Sequence, residues 1–233
     1  MFTPFAWLAD TFYGWTHNYA LALGLVALAV MLLITPLTLK STKGMLEMQR
    51  LQPQMKKLQN QYRGDRQKLN EEMMKLYQEH KVNPLASCLP LLAQMPVFII
   101  MFRVIHGLTY ESSPGSGFKP KYISATSELY KSLVGKTEMR AFGLDLAIRP
   151  SQAMASSFSK GLPYALLIVL LAGLFFLQQR MVASRAANPT MSAGQAKIMQ
   201  YMPVAFAFFQ VFLPTGLVVY YMVQAIVRIV QQW

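Results

Sequence analysis

The side chains able to do acid–base or metal chemistry are few and scattered. His17, His80 and His106 are the only histidines and Cys88 is the single cysteine. None of them pairs with another at a metal-ligand spacing. No acid lies inside any long apolar stretch, so the intramembrane carboxylates of a proton- or ion-coupled transporter are missing too. What remains is amide chemistry. The run NPLASCLPLLAQMPVF, 83–98, is greasy enough for a membrane yet carries three prolines and Gln94. The last apolar run carries Gln224, with Arg228 four residues further on. In hydrocarbon a glutamine must find another helix or water. Each interior proline withdraws a backbone donor and leaves a carbonyl in the same need. This chemistry is non-covalent: the chain is not expected to be an enzyme and calls for no cofactor and no metal.

The elements that hold these residues are expected to be membrane helices. With 54% apolar and 14% charged residues, the chain carries far less charge than the roughly one quarter usual in soluble domains. The formal charge of +12 is crowded between apolar runs, where anionic lipid and the positive-inside bias account for it. Residues 19–39 contain no charge, and 21 residues at about 1.5 Å each span a hydrocarbon core of roughly 30 Å. Further spans are expected at 85–108, 161–178, 198–213 and 215–232, the last two joined by a turn at Pro214-Thr215-Gly216. No secretory signal is recognisable before the first span, which is expected to persist in the mature protein.

Orientation follows from the loops. Residues 40–84 carry ten Lys/Arg against five acids, and 179–197 carry three and none, so both belong in the cytoplasm. The segment 109–160 is external; it mixes loop with short helices and has no assignable role. The expected topology is a multi-pass protein of the cell membrane with its N-terminus outside and C-terminus cytoplasmic. Residues 1–18 place Phe5, Leu8, Phe12 and Trp15 at helical spacing, as an outer interfacial helix would. Arg103 and His106 share a face near the far end of the second span, where they would reach the outer interface.

Within 40–84, Met45, Met48, Leu51, Met55 and Leu58 recur at spacings of three and four, Arg63-Gly64-Asp65 supplies a turn, and Leu69, Met73 and Leu76 resume the pattern. Two antiparallel helices are expected. Methionine is pliable and suits a surface that accepts varied apolar partners, but a stripe of this kind also serves to zip two helices together.

The strings TPLTLKSTKGMLEMQRLQPQMKKLQNQY, EEMMKLYQEHKVNPLASCLPLLAQMPVF and YMPVAFAFFQVFLPTGLVVYYMVQAIVRIVQQ closely resemble the YidC/Oxa/Alb membrane protein insertases. The resemblance implies an all-α membrane protein with five transmembrane helices, a cytoplasmic helical hairpin and a hydrophilic groove open to the cytoplasm and to lipid. It implies an insertase or chaperone that passes short hydrophilic tails of nascent membrane proteins through the groove and releases their apolar segments into lipid. The ribosome, a Sec-type translocon and anionic lipid would be its further partners. Counting depth from the cytoplasmic ends puts Gln94 and Gln224 some 12 to 14 Å deep, with Thr35 shallower and Gln210 deeper. Together with Met31 and Arg228 these are the expected groove-lining residues. Met45, Met48, Met55, Met73 and Met74 would meet the client on the hairpin, and Phe98 and Met202 would form the slide. One departure matters: relatives often carry an arginine where this chain has Met31. Arg228 is the candidate to restore the charge. The alternative is a non-catalytic assembly scaffold that has lost it. A second departure is the terminal QQW, without the basic tail that helps many relatives hold the ribosome; docking would fall to the hairpin and to Arg180, Arg185 and Lys197.

Overall fold

The computed structural model describes residues 2–83, 89–185 and 193–232; Pro84, Cys88 and most of the basic loop after Arg185 lie outside them. The described residues are mostly helical. Helix α1 (Thr3–Thr16) starts with a proline in its first turn and stops at His17, whose φ of 49° is left-handed. Asn18 then caps the next helix, its Oδ1 accepting from the amides of Ala20 and Leu21 at 3.0 and 3.2 Å. Helix α2 (Tyr19–Arg50) runs on for 32 residues. It yields to α3 (Gln52–Gln61) at Leu51, because Pro53 has no N–H to continue the ladder and is accommodated only in a first turn. The methionine–leucine pattern from Met45 to Leu58, expected as one helix, is therefore divided between α2 and α3. Helix α4 (Arg66–Glu79) begins where Asp65 accepts from the Lys68 amide at 3.0 Å.

Helix α5 (Leu89–Leu108) continues through Pro96. After it come α6 (Glu128–Leu133), the antiparallel strands β1 (Arg140–Ala141) and β2 (Leu144–Asp145), α7 (Pro150–Ser156), α8 (Phe158–Arg185), α9 (Ala193–Phe209), a 3-10 turn at Gln210–Phe212 and α10 (Thr215–Gln231). Among the described residues two helices, over Tyr19–Lys40 and Phe158–Val182, are long and apolar enough to cross a membrane. Shorter apolar helices cover Gln94–Leu108, Tyr201–Phe212 and Thr215–Gln231.

Helix α2 packs on α1 and α10, and α8 on α7, α9 and α10. The buried stripe of α2 is Leu23, Val26, Ala27 and Val30, spaced three, four and seven apart. Its outer face is also apolar, with Leu32 70% and Leu33 74% exposed. A helix hydrophobic all round belongs to a large core or to a membrane span, and the exposure of this outer face fits the second. The main core joins these residues to Met101, Ile105, Leu171, Leu217, Tyr220 and Tyr221. Prolines 36, 96, 163 and 203 lie inside these apolar helices, and each leaves the carbonyl four residues earlier without its usual donor.

Segment 109–160 folds as a cap on one end of the bundle, its Phe118, Leu129, Leu133, Met139 and Leu146 continuous with the main core. Polar contacts tie it down on several sides. Asp10 accepts from the Leu129 amide at 3.1 Å, and Tyr19 Oη donates to the Ser132 carbonyl at 3.2 Å. The first amides of α10, which have no partner within their own helix, donate to the cap: Thr215 to Ile148 and Gly216 to Leu146, both at 2.9 Å.

A separate small core of Met48, Leu51, Met55, Met73, Leu76 and Val82 holds α3, α4 and the end of α2 together. Met48, Met55 and Met73 are thus seam residues and not an exposed contact surface, which corrects their expected role. The cause is the helix spacing, which turns these positions toward each other. Met74 faces out, 53% exposed; Met45 lies within α2.

Candidate functional site

Three helices bring the polar side chains together near the end of the bundle opposite the cap. On α10, Gln224 and Arg228 are four residues apart and share a face. Across from them on α5, Gln94 donates from Nε2 to Gln224 Oε1 at 3.1 Å, and its own Oε1 accepts from Arg228 Nη2. The amide of Gln94 is thereby oriented at both ends. Gln224 is buried and its Nε2 has no partner among the described residues, so the cluster carries a spare donor. Arg228 is half-buried, and among the described residues no acid pairs with it. A cation held only by a neutral amide keeps its attraction for an incoming anion.

A second link joins α10 to α2. Gln231 Nε2 donates to Thr35 Oγ1 at 2.9 Å, and Thr35 Oγ1 donates back to the Met31 carbonyl at 2.7 Å. Gln231 extends the face of Gln224 and Arg228 by a further three residues; it is not among the expected groove-lining residues, although the 224, 228, 231 spacing carries the signal.

Other expected positions behave differently. Met31 is 1% exposed and packs in the bundle, so it lines no groove; an unbranched apolar side chain at this place fills space. Gln210 is fully buried in the 3-10 turn beside α7, with neither amide atom partnered among the described residues. It starts the link to α10 at Thr215, whereas Gln224 lies nine residues along that helix, roughly 13 Å away at 1.5 Å per residue. Gln210 therefore belongs to the capped end and not to the cluster, because the chain turns there. Phe98 is half-buried in an aromatic group with Phe102, Phe206 and Tyr221, centroids 6.1, 5.9 and 6.3 Å apart. Met202 is 46% exposed on α9, and Met95 and Ile99 on α5 are 55% and 51% exposed. Arg103 and His106 are exposed.

Comparison with known proteins bears on what the cluster does. The model of a family described as 60Kd inner membrane protein matches residues 11–233. A protein of Syntrophobacter fumaroxidans called membrane protein insertase YidC is 34% identical over 231 residues, 99% of this chain and 36% of that protein. One of the same name from Magnetococcus marinus is 37% identical, over 99% of this chain and 34% of its own length. A solved structure described as an active YidC insertase with its first transmembrane domain resolved is similar with a TM-score of 0.64 and 26% identity, covering all of this chain and 45% of that one. The chain spans about a third of the length of the curated relatives it matches.

Proposed function

The chain belongs to the 60Kd inner membrane protein family, and from that premise we propose that it is a membrane protein insertase whose groove charge is supplied by Arg228. The architecture proposed is five spans, formed by the apolar part of α2, by α5, α8, α9 and α10, with the N-terminus outside, α3 and α4 as a cytoplasmic hairpin and α1 lying in the outer interface. On this arrangement Gln94, Gln224, Arg228, Thr35 and Gln231 line a wet recess that opens toward the cytoplasm, and the capped end faces out.

The mechanism needs no covalent step. Carrying a polar tail across hydrocarbon strips water from its backbone groups, at a cost of a few kcal/mol for each group left unpaired. A recess with amides part-way through the bilayer shortens the dry path. Gln224 Nε2 offers a donor to the passing peptide, and Gln94 can exchange its protein partners for peptide ones. Arg228 attracts acidic residues of the tail, while the apolar segment moves along the exposed Met95, Ile99 and Met202 and the half-buried Phe98 into lipid, driven by partitioning. Met74 and the exposed Leu46 (48%) are the hairpin positions left to meet a client. Nascent membrane proteins are the proposed clients; the ribosome, a Sec-type translocon and anionic lipid are proposed partners of the basic cytoplasmic face.

The observation that carries this is the Arg228–Gln94–Gln224 chain. It favours an insertase over a scaffold that has lost its groove charge, since Arg228 brings a charge to the amides although Met31 does not. In proteoliposomes, Arg228→Ala is expected to lower insertion of a single-span client with a short acidic tail about ten-fold, the equivalent of about 1.4 kcal/mol. A neutral-tailed client should be affected little, and Arg228→Lys should retain most activity. Unchanged insertion of the acidic-tailed client would dispose of the role given to Arg228.

A further inference from the structure

The tip of the β1–β2 hairpin carries a residue that neither turn chemistry nor water favours. Arg140 pairs with Asp145 and Ala141 with Leu144, leaving Phe142 and Gly143 as a two-residue connection with φ of 50° and 78°. Two successive positive φ values are the pattern of the mirror-image hairpin turn, which Asn-Gly or Asp-Gly fills readily. A phenylalanine pays for that left-handed backbone in steric strain, and here its ring gains no burial in return, since it is 73% exposed.

The hairpin stands beside the helices and not beyond them. The Asp145 amide donates to Tyr164 Oη at 2.8 Å, and Tyr164 lies six residues into α8, roughly 9 Å from its start. Asp145 Oδ1 accepts from the amides of Met139 and Ala147 at 2.9 and 3.0 Å, bracing both sides of the turn. The Leu146 carbonyl is bonded to Gly216, and a side chain at Gly216 would touch Leu23 on α2 and Ile105 on α5. Strand β2 is thus level with the first two turns of α2, α8 and α10. Another large aromatic, Phe158, is 83% exposed at the very start of α8.

We propose that Phe142 is a lipid anchor: the hairpin tip inserts its ring into the headgroup–acyl boundary of the leaflet at the capped end. Apolar rings with polar surroundings settle at that depth. The anchor adds a lateral foot to the cap, separate from α1, and holds the cap in register with the helices it closes. It rests on the reading of α2 and α8 as membrane spans.

The test keeps the ring aromatic. In the full chain with Trp7, Trp15 and Trp233 changed to Phe, F142W is introduced and the protein is reconstituted into phosphatidylethanolamine–phosphatidylglycerol vesicles, with lipids brominated either near the headgroup or near the chain end. A blue-shifted emission quenched more by the shallow bromines is expected. V169W in the same background, at a position 61% exposed eleven residues into α8, should be quenched more by the deep bromines. If V169W is quenched and F142W emits as in water, the anchor is wrong and the spans stand. An F142W that is blue-shifted but untouched by either lipid means a protein partner and also overturns the anchor. If V169W itself is not quenched, the span reading fails and the anchor with it. Should the tryptophan-free background fold poorly, F142C in a Cys88→Ser chain carrying a small environment-sensitive fluorophore reads the same depth.

Discussion

Helix α10 ends in two opposite ways. At Thr215 its orphan amides are taken by backbone carbonyls of the cap, and the Thr215 hydroxyl donates to the Ile148 carbonyl as well, at 2.8 Å. At Arg228 every cross-helix bond is between side chains, one amide donor is spare and the cation has no acid among the described residues. Backbone partners cannot be exchanged without moving the chain, and an unpaired carbonyl or amide away from water is costly. Amide side chains can trade one another for water or a peptide with little net change, because each bond broken is replaced by one of similar strength. Under the proposed function the first end stays shut and the second changes partners.

The sharpest way to break this contrast is to strain the closed end. At Gly161, a Cβ would lie 2.5 Å from Met154 Cα and 3.1 Å from its amide nitrogen. These are backbone atoms of α7 that cannot swing aside. Gly161→Val is expected to cost about 3 kcal/mol, at the upper end for overpacking, and to lower the thermal midpoint in detergent by several degrees. Gly173→Val, twelve residues along the same helix where a Cβ meets nothing within 4 Å, is the control and should stay near the parent. Equal behaviour of the two would mean that the cap is not rigidly held.

The two ends also differed in how far the sequence disclosed them. Gln94, Gln224 and Arg228 stood out because polar groups are rare in apolar runs, and counting 1.5 Å per residue put the two glutamines at one depth. Helix-to-helix pairing was then a short step. The same count sets Gln210 deeper along the same expected groove, on the assumption that the helix continues straight to the turn; the 3-10 turn at Gln210–Phe212 instead leaves this side chain beside α7. The methionines could not be divided by periodicity alone, because a seam and an exposed stripe share one spacing; Met73 and Met74 are neighbours, yet only Met73 is buried. The cap was the least legible. Its strands are two residues each and its ties, such as Asp10 to Leu129 and Tyr164 to Asp145, join residues far apart in sequence.

A moderate effect is expected at the open end. Gln94→Leu removes the acceptor of Arg228 and the donor to Gln224 together, leaving a half-buried cation and a buried amide without those bonds. A loss of about 2 kcal/mol is expected, read as a lower midpoint in detergent. Gln94→Glu should recover this loss by placing a carboxylate against Arg228. It should nevertheless lower insertion of acidic-tailed clients, because the charge is then spent within the protein. A stable Gln94→Glu protein with full activity would show that the open end does not work through a free cation.

The smallest effect, and one of opposite sign, is expected at Gln210. Its amide is fully buried with both polar atoms unpartnered among the described residues, so the side chain contributes packing while forgoing the hydrogen bonds it makes to water when unfolded. Gln210→Leu keeps a similar volume and removes the unpaired groups; it should be neutral or raise stability by up to about 1 kcal/mol. Insertion of acidic-tailed clients should be unchanged. The same substitution thus destabilises at position 94 and does not at position 210, although the two residues are chemically identical and both lie in apolar runs. Parallel thermal midpoints of Gln94→Leu and Gln210→Leu measure that difference directly. If Gln210→Leu cost as much as Gln94→Leu, the buried amide at the closed end must hold a water or a peptide group that matters, and the division between a fixed end and an exchanging end would no longer hold.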